Sequence, residues 1–415
     1  MGAVARTSAR PSHPALDDAS LISCAVDAWH DVPRCRHHVM ARVARRNRVL
    51  FTGPPWYVRD ALTSRSSGGG LARVTDRLFT YRPPRWLPYS YRAPRLNEYS
   101  LRLRSTCIRQ AARRAGLDQP ILYIWHPAFA DLIGRLDERL VVYHCYDEYS
   151  AFSGSDSDRR RVAEDEARVL ARADLVLTVS EGLQAKKRLL NANTHLMRNG
   201  VDYDLFAAAQ HTATPRPPEL DGLRGPIVGC VTRIVPEFFD AALLHDVFSR
   251  RRDWSFVVVG PECAGGADLE RLKALDNVHF LGRRDLTELP AYLKTFDACL
   301  IPYALTENKR LADPLKAYEY LAAGKPVISK PLAALAPFSG VVSFATDADE
   351  WIAAIDDAIR GDSPERIARR QAVARCNTWD DRVEEILHLI AAALPGRPSA
   401  PPAHGPGTGR HEHAH

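Results

Sequence analysis

The sequence predicts an α/β protein built from two Rossmann-like, doubly wound parallel-sheet domains that face each other across a cleft. Three observations lead there. Short β-rich runs alternate with helical segments along the whole chain. Each run is nearly continuous in apolar residues, as strands buried on both faces are. The runs fall into two sets, and 415 residues of which 46% are apolar are ample for two cores.

The first set comprises 21–26, 49–52, 121–125, 140–144, 175–179 and 195–197. The second comprises 227–231, 255–259, 278–281, 298–301, 327–329 and 341–344. Between them, 207–226 is rich in Pro and Thr and lacks periodicity, so it reads as the linker. The expected organisation is a disordered 1–19, a first domain over 20–206 and a second over 227–375. A terminal helix at 376–395 is expected to pack back on the first domain. The Pro-, Gly- and His-rich tail 396–415 is expected to be disordered.

Several classes are excluded. No stretch approaches the roughly 20 continuous apolar residues of a membrane span. The first twenty residues lack the apolar core of a secretory signal. The eight cysteines are scattered without a C-x-x-C, which suits reduced thiols in a cytoplasmic protein and predicts no metal site. The first strand runs into Asp27-Ala28-Trp29-His30-Asp31 and the second domain's first strand into Thr232-Arg233-Ile234. Neither carries the glycines of a dinucleotide fingerprint, and there is no P-loop, so no cofactor of either kind is expected.

Charge is uneven. Residues 1–210 hold 32 Lys and Arg against 22 Asp and Glu, whereas the rest holds 24 against 28. Within 73–114 there are eleven arginines and two acids, Asp76 and Glu98, interleaved with Phe79, Tyr81, Trp86, Tyr89, Tyr91 and Tyr99. Such a stretch suits an anionic lipid surface or an anionic acceptor; a solvated surface is the plainer alternative. No nucleic-acid module accompanies it, and nucleic acid is not expected as a partner.

The most informative segment is 306–331, TENKRLADPLKAYEYLAAGKPVISKP. Asp313 suits an N-cap, Pro314 the first helical position and Gly324 the position after the helix, predicting a helix over 314–323. Its apolar residues imply burial, yet Lys316 and Glu319 share one face. Burying two charges is costly without a reason. One reading has the helix N-terminus and Lys316 facing a diphosphate while Glu319 accepts hydrogen bonds from sugar hydroxyls. The other is an internal Lys–Glu pair.

The run D-P-L-K-A-Y-E-Y-L-A-A-G-K-P-V (313–327) resembles the donor-binding segment of family 4, or group 1, glycosyltransferases of GT-B architecture. L-A-R-A-D-L-V-L-T-V-S-E-G-L (170–183), R-N-G-V-D-Y-D-L-F (198–206), N-V-H-F-L-G (277–282), L-P-A-Y-L (289–293) and D-A-C-L-I-P-Y (297–303) resemble further segments of that family, in order. W-H-D-V-P (29–33) and H-C-Y-D-E-Y-S-A-F (144–152) are closest to its teichuronic-acid-biosynthesis-like branch.

The resemblance implies a metal-independent transferase of hexosyl type, moving a sugar from a nucleotide diphosphate sugar to an acceptor hydroxyl, usually with retention. The implied acceptor is a glycan or lipid-linked molecule at the inner face of the plasma membrane. Glu319 would hold the ribose, and Lys316 and Arg233 the phosphates, with Pro314, Leu315, Asn199 and Gly200 also on the donor side. His126 would touch the sugar, and Asp147 would orient the acceptor or take its proton. Equally, His126 could be a satisfied histidine before a proline, and Asp147 and Glu148 could cap the segment that follows. Two departures stand out. Where the family has a Glu eight residues before Glu319, this chain has Leu311, leaving Asp313 or Glu307 to stand in. Where the family has a Lys five residues after Arg233, this chain has Phe238, leaving Arg283, Arg284, Lys309 and Arg310 as replacements. An inactive nucleotide-sugar-binding relative and a nucleotide-sugar epimerase are the rival readings.

Overall fold

The computed structural model describes residues 16–31, 33–53, 69–84, 86–87, 94–152 and 154–394, with backbone alone at 94–97. Most of the stretch 1–19, the whole tail 396–415 and Arg85, Tyr89, Tyr91 and Arg92 of the basic stretch lie outside the described residues.

The first lobe carries β1 (Ser20–Cys24), β2 (Arg48–Thr52), β3 (Gly70–Arg73), β4 (Leu78–Arg82), β5 (Ile121–Ile124), β6 (Leu140–Cys145), β7 (Leu175–Thr178) and β8 (Thr194–Leu196). They form one sheet in the order β3-β4-β2-β1-β5-β6-β7-β8. The second lobe carries β9 (Ile227–Val231), β10 (Ser255–Val259), β11 (Val278–Gly282), β12 (Ala298–Ile301), β13 (Val327–Ser329) and β14 (Val342–Phe344). Their order is β11-β10-β9-β12-β13-β14. Every pairing is parallel except β3 with β4, which is antiparallel. That hairpin was not expected from the apolar runs. β3, at the edge, is largely exposed, and β4 beside it mixes buried with half-buried residues, because strands at a sheet's open edge need no continuous apolar run.

Both faces of each sheet are covered. Along β1, Ile22 and Cys24 enter one core of the first lobe while Leu21 enters the other. The second core is closed by the helix Trp379–Ala393, whose Trp379, Val383, Ile386, Leu387 and Ile390 recur at helical spacing and pack against Leu21, Val49 and Tyr123. Arg42 of the helix Cys35–Val43 donates from Nε to Asp380 at 2.9 Å. The C-terminal helix therefore returns to the first lobe.

The stretch 207–226 is not a free connector. Ala209 and Leu220 are buried in the second lobe's core beside Val257 and Leu293, as is Phe206 just before the stretch, so this segment is part of that lobe. The chain crosses between lobes earlier, at 198–201. There Val201 N–H donates to Asn377 carbonyl at 3.0 Å, and Trp379 N–H donates to Val201 carbonyl at 3.1 Å. A Cβ on Gly200 would stand 2.8 Å from Trp379 nitrogen and 2.9 Å from the Thr378 carbonyl, so only glycine allows the two crossings to run this close.

In each sheet the strand order reverses beside the first strand, between β1 and β5 and between β9 and β12. Doubly wound sheets bind ligands beyond the strand ends at such reversals. Asp27 and His126 follow β1 and β5; Arg233 and Tyr303 follow β9 and β12.

Candidate functional site

The helix predicted over 314–323 is Leu315–Ala322, and Asp313 does not cap it. Pro314 occupies the cap position, and no side chain bonds the first turn's N–H groups. The Asp313 carboxylate is held elsewhere: it accepts Asn199 N–H at 2.7 Å and the Tyr318 hydroxyl at 2.9 and 3.0 Å. Asn199 also donates from Nδ2 to the Asp313 carbonyl at 2.7 Å. Burial raises Asp313 to about 6, against Asn199, Arg198, Tyr318 and Arg382, which lower it. Asp313 is thus a strut between the crossing segment and the helix, and Asn199 is its other half. The helix N-terminus is left without a side-chain cap, which favours an anion there.

Leu315 packs against the first lobe's core, so this N-terminus meets the seam between lobes. Lys316 Nζ contacts Glu319 Oε2 at 2.6 Å. Lys316 is half-buried, and Glu319 is buried. Burial pushes the Glu319 carboxyl up and Lys316 pulls it back. The two residues form the internal pair that helix spacing allowed, beside the seam rather than in bulk water.

On the first lobe, His126 follows β5 and caps the turn Pro127–Leu132: Ala128 N–H donates to its Nδ1 at 3.1 Å. Burial, with Arg36 nearby, lowers the imidazole to about 4, so it is neutral near pH 7. With Nδ1 accepting, the proton sits on Nε2, which can donate to a hydroxyl. Its ring lies edge-on to Tyr149, centroids 4.6 Å apart.

Asp147 follows β6 and is reached from the second lobe. Asn308 donates from Nδ2 to Asp147 Oδ1 at 3.3 Å and to the Glu148 carbonyl at 3.2 Å. Burial raises the Asp147 carboxyl, and Lys309, Asn308, Arg34 and Arg36 oppose the rise. Glu148 stands at the cap position of the next segment, but its side chain makes no capping hydrogen bond. Lys187 holds it at 3.2 and 3.3 Å and holds Glu166 at 2.8 Å, and Glu166 accepts the Tyr143 hydroxyl at 2.7 Å. Lys187, Glu148 and Glu166 are all buried, so this network braces the loop that carries Asp147.

Glu307 is exposed and pairs with Lys186 at 2.8 Å. Leu311 is half-buried against the first lobe's core, and the Ser180 hydroxyl donates to its carbonyl at 2.6 Å. Arg233 is exposed, with Nη2 3.3 Å from Cys263 Sγ. The structure therefore brings Asp147, Glu307, Asp313, Pro314 and Leu315 to the seam; Asn199 and Gly200 lie at the crossing.

Three residues escaped the sequence reading. Tyr303 lies within electrostatic reach of Asp147, Glu319 and Asp313. Asn308 bridges the lobes. Arg36, fully buried, pairs with Asp27 beneath the reversal point and stacks 4.9 Å over Tyr146. Their sequence separations, 161 residues for Asn308 and Asp147, leave no local signal. Phe238 meets Phe152 of the first lobe edge-on at 5.7 Å.

The basic stretch is partly neutralised. Arg77 pairs with Asp18 at 2.6 Å, Arg102 with Glu98 at 3.2 Å, and Arg109 and Arg113 with Asp137 at 3.5 Å. Trp86 and Tyr99 are exposed. Among the described residues no helix is long and apolar enough to cross a membrane.

Residues 225–360 match the family described as glycosyl transferases group 1. TuaH of Bacillus subtilis (strain 168), named as a teichuronic acid biosynthesis glycosyltransferase, is 29% identical over 283 residues, 64% of this chain and 70% of TuaH. Anabaena Alr3699/HepE in complex with UDP and glucose superposes with a TM-score of 0.62 at 15% identity, covering 90% of this chain and all of that one. Sucrose-phosphate synthase from Thermosynechococcus elongatus superposes at 0.60 with 18% identity, covering 90% and 96%. The two-lobed architecture is the GT-B fold.

Proposed function

Proceeding from the match of residues 225–360 to the group 1 glycosyltransferases, we propose that this chain moves a sugar from a nucleotide diphosphate sugar to an acceptor hydroxyl. The observation that carries the reading is the helix Leu315–Ala322: its N-terminus has no side-chain cap, meets the seam between lobes and carries half-buried Lys316 in its first turn, paired with buried Glu319. Free N–H groups and a cation stabilise the negative charge that grows on the leaving diphosphate. Lys316 turns toward phosphate when the donor arrives, and Glu319 then accepts the ribose hydroxyls.

The acceptor side is the first lobe. His126, neutral with its proton on Nε2, donates to a sugar hydroxyl. Asp147, raised by burial, accepts the acceptor's proton or orients its hydroxyl. Transfer proceeds with retention, without a bound metal, in surface polysaccharide or glycolipid assembly; similarity to TuaH supports that setting. A glycan or lipid-linked acceptor is met at the cytoplasmic face of the plasma membrane, against which exposed Trp86 and Tyr99 lie. Failure of the protein to sediment with anionic vesicles at low salt would remove the membrane clause.

One observation favours a second reading, a silent binding protein: Leu311 packs against the first lobe and brings no carboxylate to the donor. A thermal-shift screen over UDP-, GDP- and dTDP-sugars, followed by assay for release of the nucleoside diphosphate with and without acceptor glycans, separates the two. Binding without release supports the silent protein; release of an altered free sugar without acceptor supports an epimerase.

A further inference from the structure

Phe238 follows β9 on a loop whose backbone is pinned. The Val235 carbonyl accepts Phe238 N–H at 2.9 Å and Phe239 N–H at 3.0 Å, and the Phe238 carbonyl accepts Ala304 N–H at 3.1 Å. Phe239 is buried in the second lobe's core, whereas Phe238 is half-buried and meets Phe152 of the first lobe edge-on, centroids 5.7 Å apart. The core thus takes Phe239 and leaves Phe238 to the seam. A large apolar ring held on a fixed backbone and left half-open at a cleft is a surface suited to a ligand.

Phe152 ends a row of rings in the first lobe. Tyr149 stands between it and His126, with centroids 6.5 and 4.6 Å away, and the Tyr149 hydroxyl donates to the Trp125 carbonyl at 2.6 Å, which fixes the row just past β5. Tyr149 is buried, and Phe152 is half-buried against the first lobe's core. Asp147 and Phe152 lie on one short segment. The second lobe ties Phe238 to the same carboxylate: Lys309 Nζ stands 4.6 Å from the Phe238 centroid, and its neighbour Asn308 donates from Nδ2 to Asp147 Oδ1 at 3.3 Å. Two half-open rings, one from each lobe, therefore flank the approach to Asp147.

We propose that Phe152 and Phe238 form one apolar platform across the seam on which the ring of the acceptor sugar lies, Phe238 being the residue of the second lobe that selects the acceptor. The proposal rests on the transfer reading above and deepens it by naming what the site recognises: the C–H face of a pyranose rather than a charge. That face is apolar and the hydroxyls stand round its rim, so a sugar lying on the two phenyl rings can still offer a hydroxyl to Asp147. The platform serves the acceptor rather than the nucleotide because the two ligand sides meet opposite faces of the first lobe's sheet. Phe152 packs against one core of that lobe, and Leu315 of the donor helix packs against the other. With one ring from each lobe, the platform is complete only while the lobes are closed.

The test is saturation-transfer NMR of methyl β-D-glucoside, methyl β-D-galactoside and methyl N-acetyl-β-D-glucosaminide with the full chain and with Phe238→Leu, Phe238→Tyr and Phe152→Leu. Calorimetric titration of UDP, GDP and dTDP runs alongside, and circular dichroism confirms the fold. At least one glycoside is expected to receive saturation on its ring C–H protons, to lose it at least threefold in both Leu variants and to keep most of it in Phe238→Tyr, while nucleotide affinity stays within twofold. Equal saturation in wild type and Phe238→Leu, or none on any of the three glycosides, would overturn the proposal and leave the donor reading to the calorimetry. A larger fall in nucleotide affinity in Phe238→Leu would put the ring under the nucleotide and overturn the proposal too. A wild-type chain that binds none of the three nucleotides would overturn the transfer reading and the proposal with it.

Discussion

Leu311 of the second lobe closes on Gly182 of the first: a Cβ built on Gly182 would lie 2.5 Å from Leu311 Cδ2. Together with the Ser180–Leu311 hydrogen bond, this fixes the segment 307–311 to the first lobe. Leu311→Ala should therefore cost about 1–2 kcal/mol in a urea melt, less than a fully buried leucine. Leu311→Glu should loosen the seam, seen as an increased radius of gyration by small-angle scattering. An unchanged radius and melt in both variants would show that the contact does not hold the lobes.

Lys187 is the centre of a buried network, raised to about 12 because Cys145, Glu166 and Glu148 outweigh its burial. Lys187→Met leaves buried Glu166 without its cation and leaves buried Glu148 only the exposed Lys186 at 3.4 Å. A loss of about 3–5 kcal/mol is expected from denaturant unfolding. The double variant Lys187→Met with Glu166→Gln should recover part of it, because Gln carries no charge. A Lys187→Met melt equal to wild type would contradict the network's role.

Asp313 sets a pH dependence. Burial raises it from 3.8 in the unfolded chain to about 6 in the folded one. The native state then binds the proton more tightly, so this residue's contribution is full below pH 3.8 and is lost as pH rises through about 6. Asp313→Asn keeps an acceptor for Asn199 N–H and stays neutral. The stability of wild type minus that of Asp313→Asn should decline between pH 4 and 6 and then level off. A difference flat across that range would contradict the assignment.

Much of the fold was legible because its signals are local. The continuous apolar runs at β1, β5, β6, β9, β10 and β12 exist because both faces of those strands are covered. The helix Leu315–Ala322 announced itself through Pro314, Gly324 and the Lys316–Glu319 spacing. The edge hairpin β3–β4 escaped because one side of it faces solvent. Asp313 looked like a cap from its position alone; its real partner, Asn199, is 114 residues away, and nothing local reports such a pairing. The linker was misplaced for a related reason. Ala209 and Leu220 are too sparse to make a periodic pattern, yet they anchor that stretch in the second lobe's core.

Titration of UDP into wild type and Glu319→Ala tests the donor site most directly. Hydrogen bonds to a charged group are worth about 1.5–3 kcal/mol, so affinity should fall on the order of tenfold to a hundredfold while the fold is retained. Equal affinity in the two proteins would contradict a donor held at the N-terminus of Leu315–Ala322.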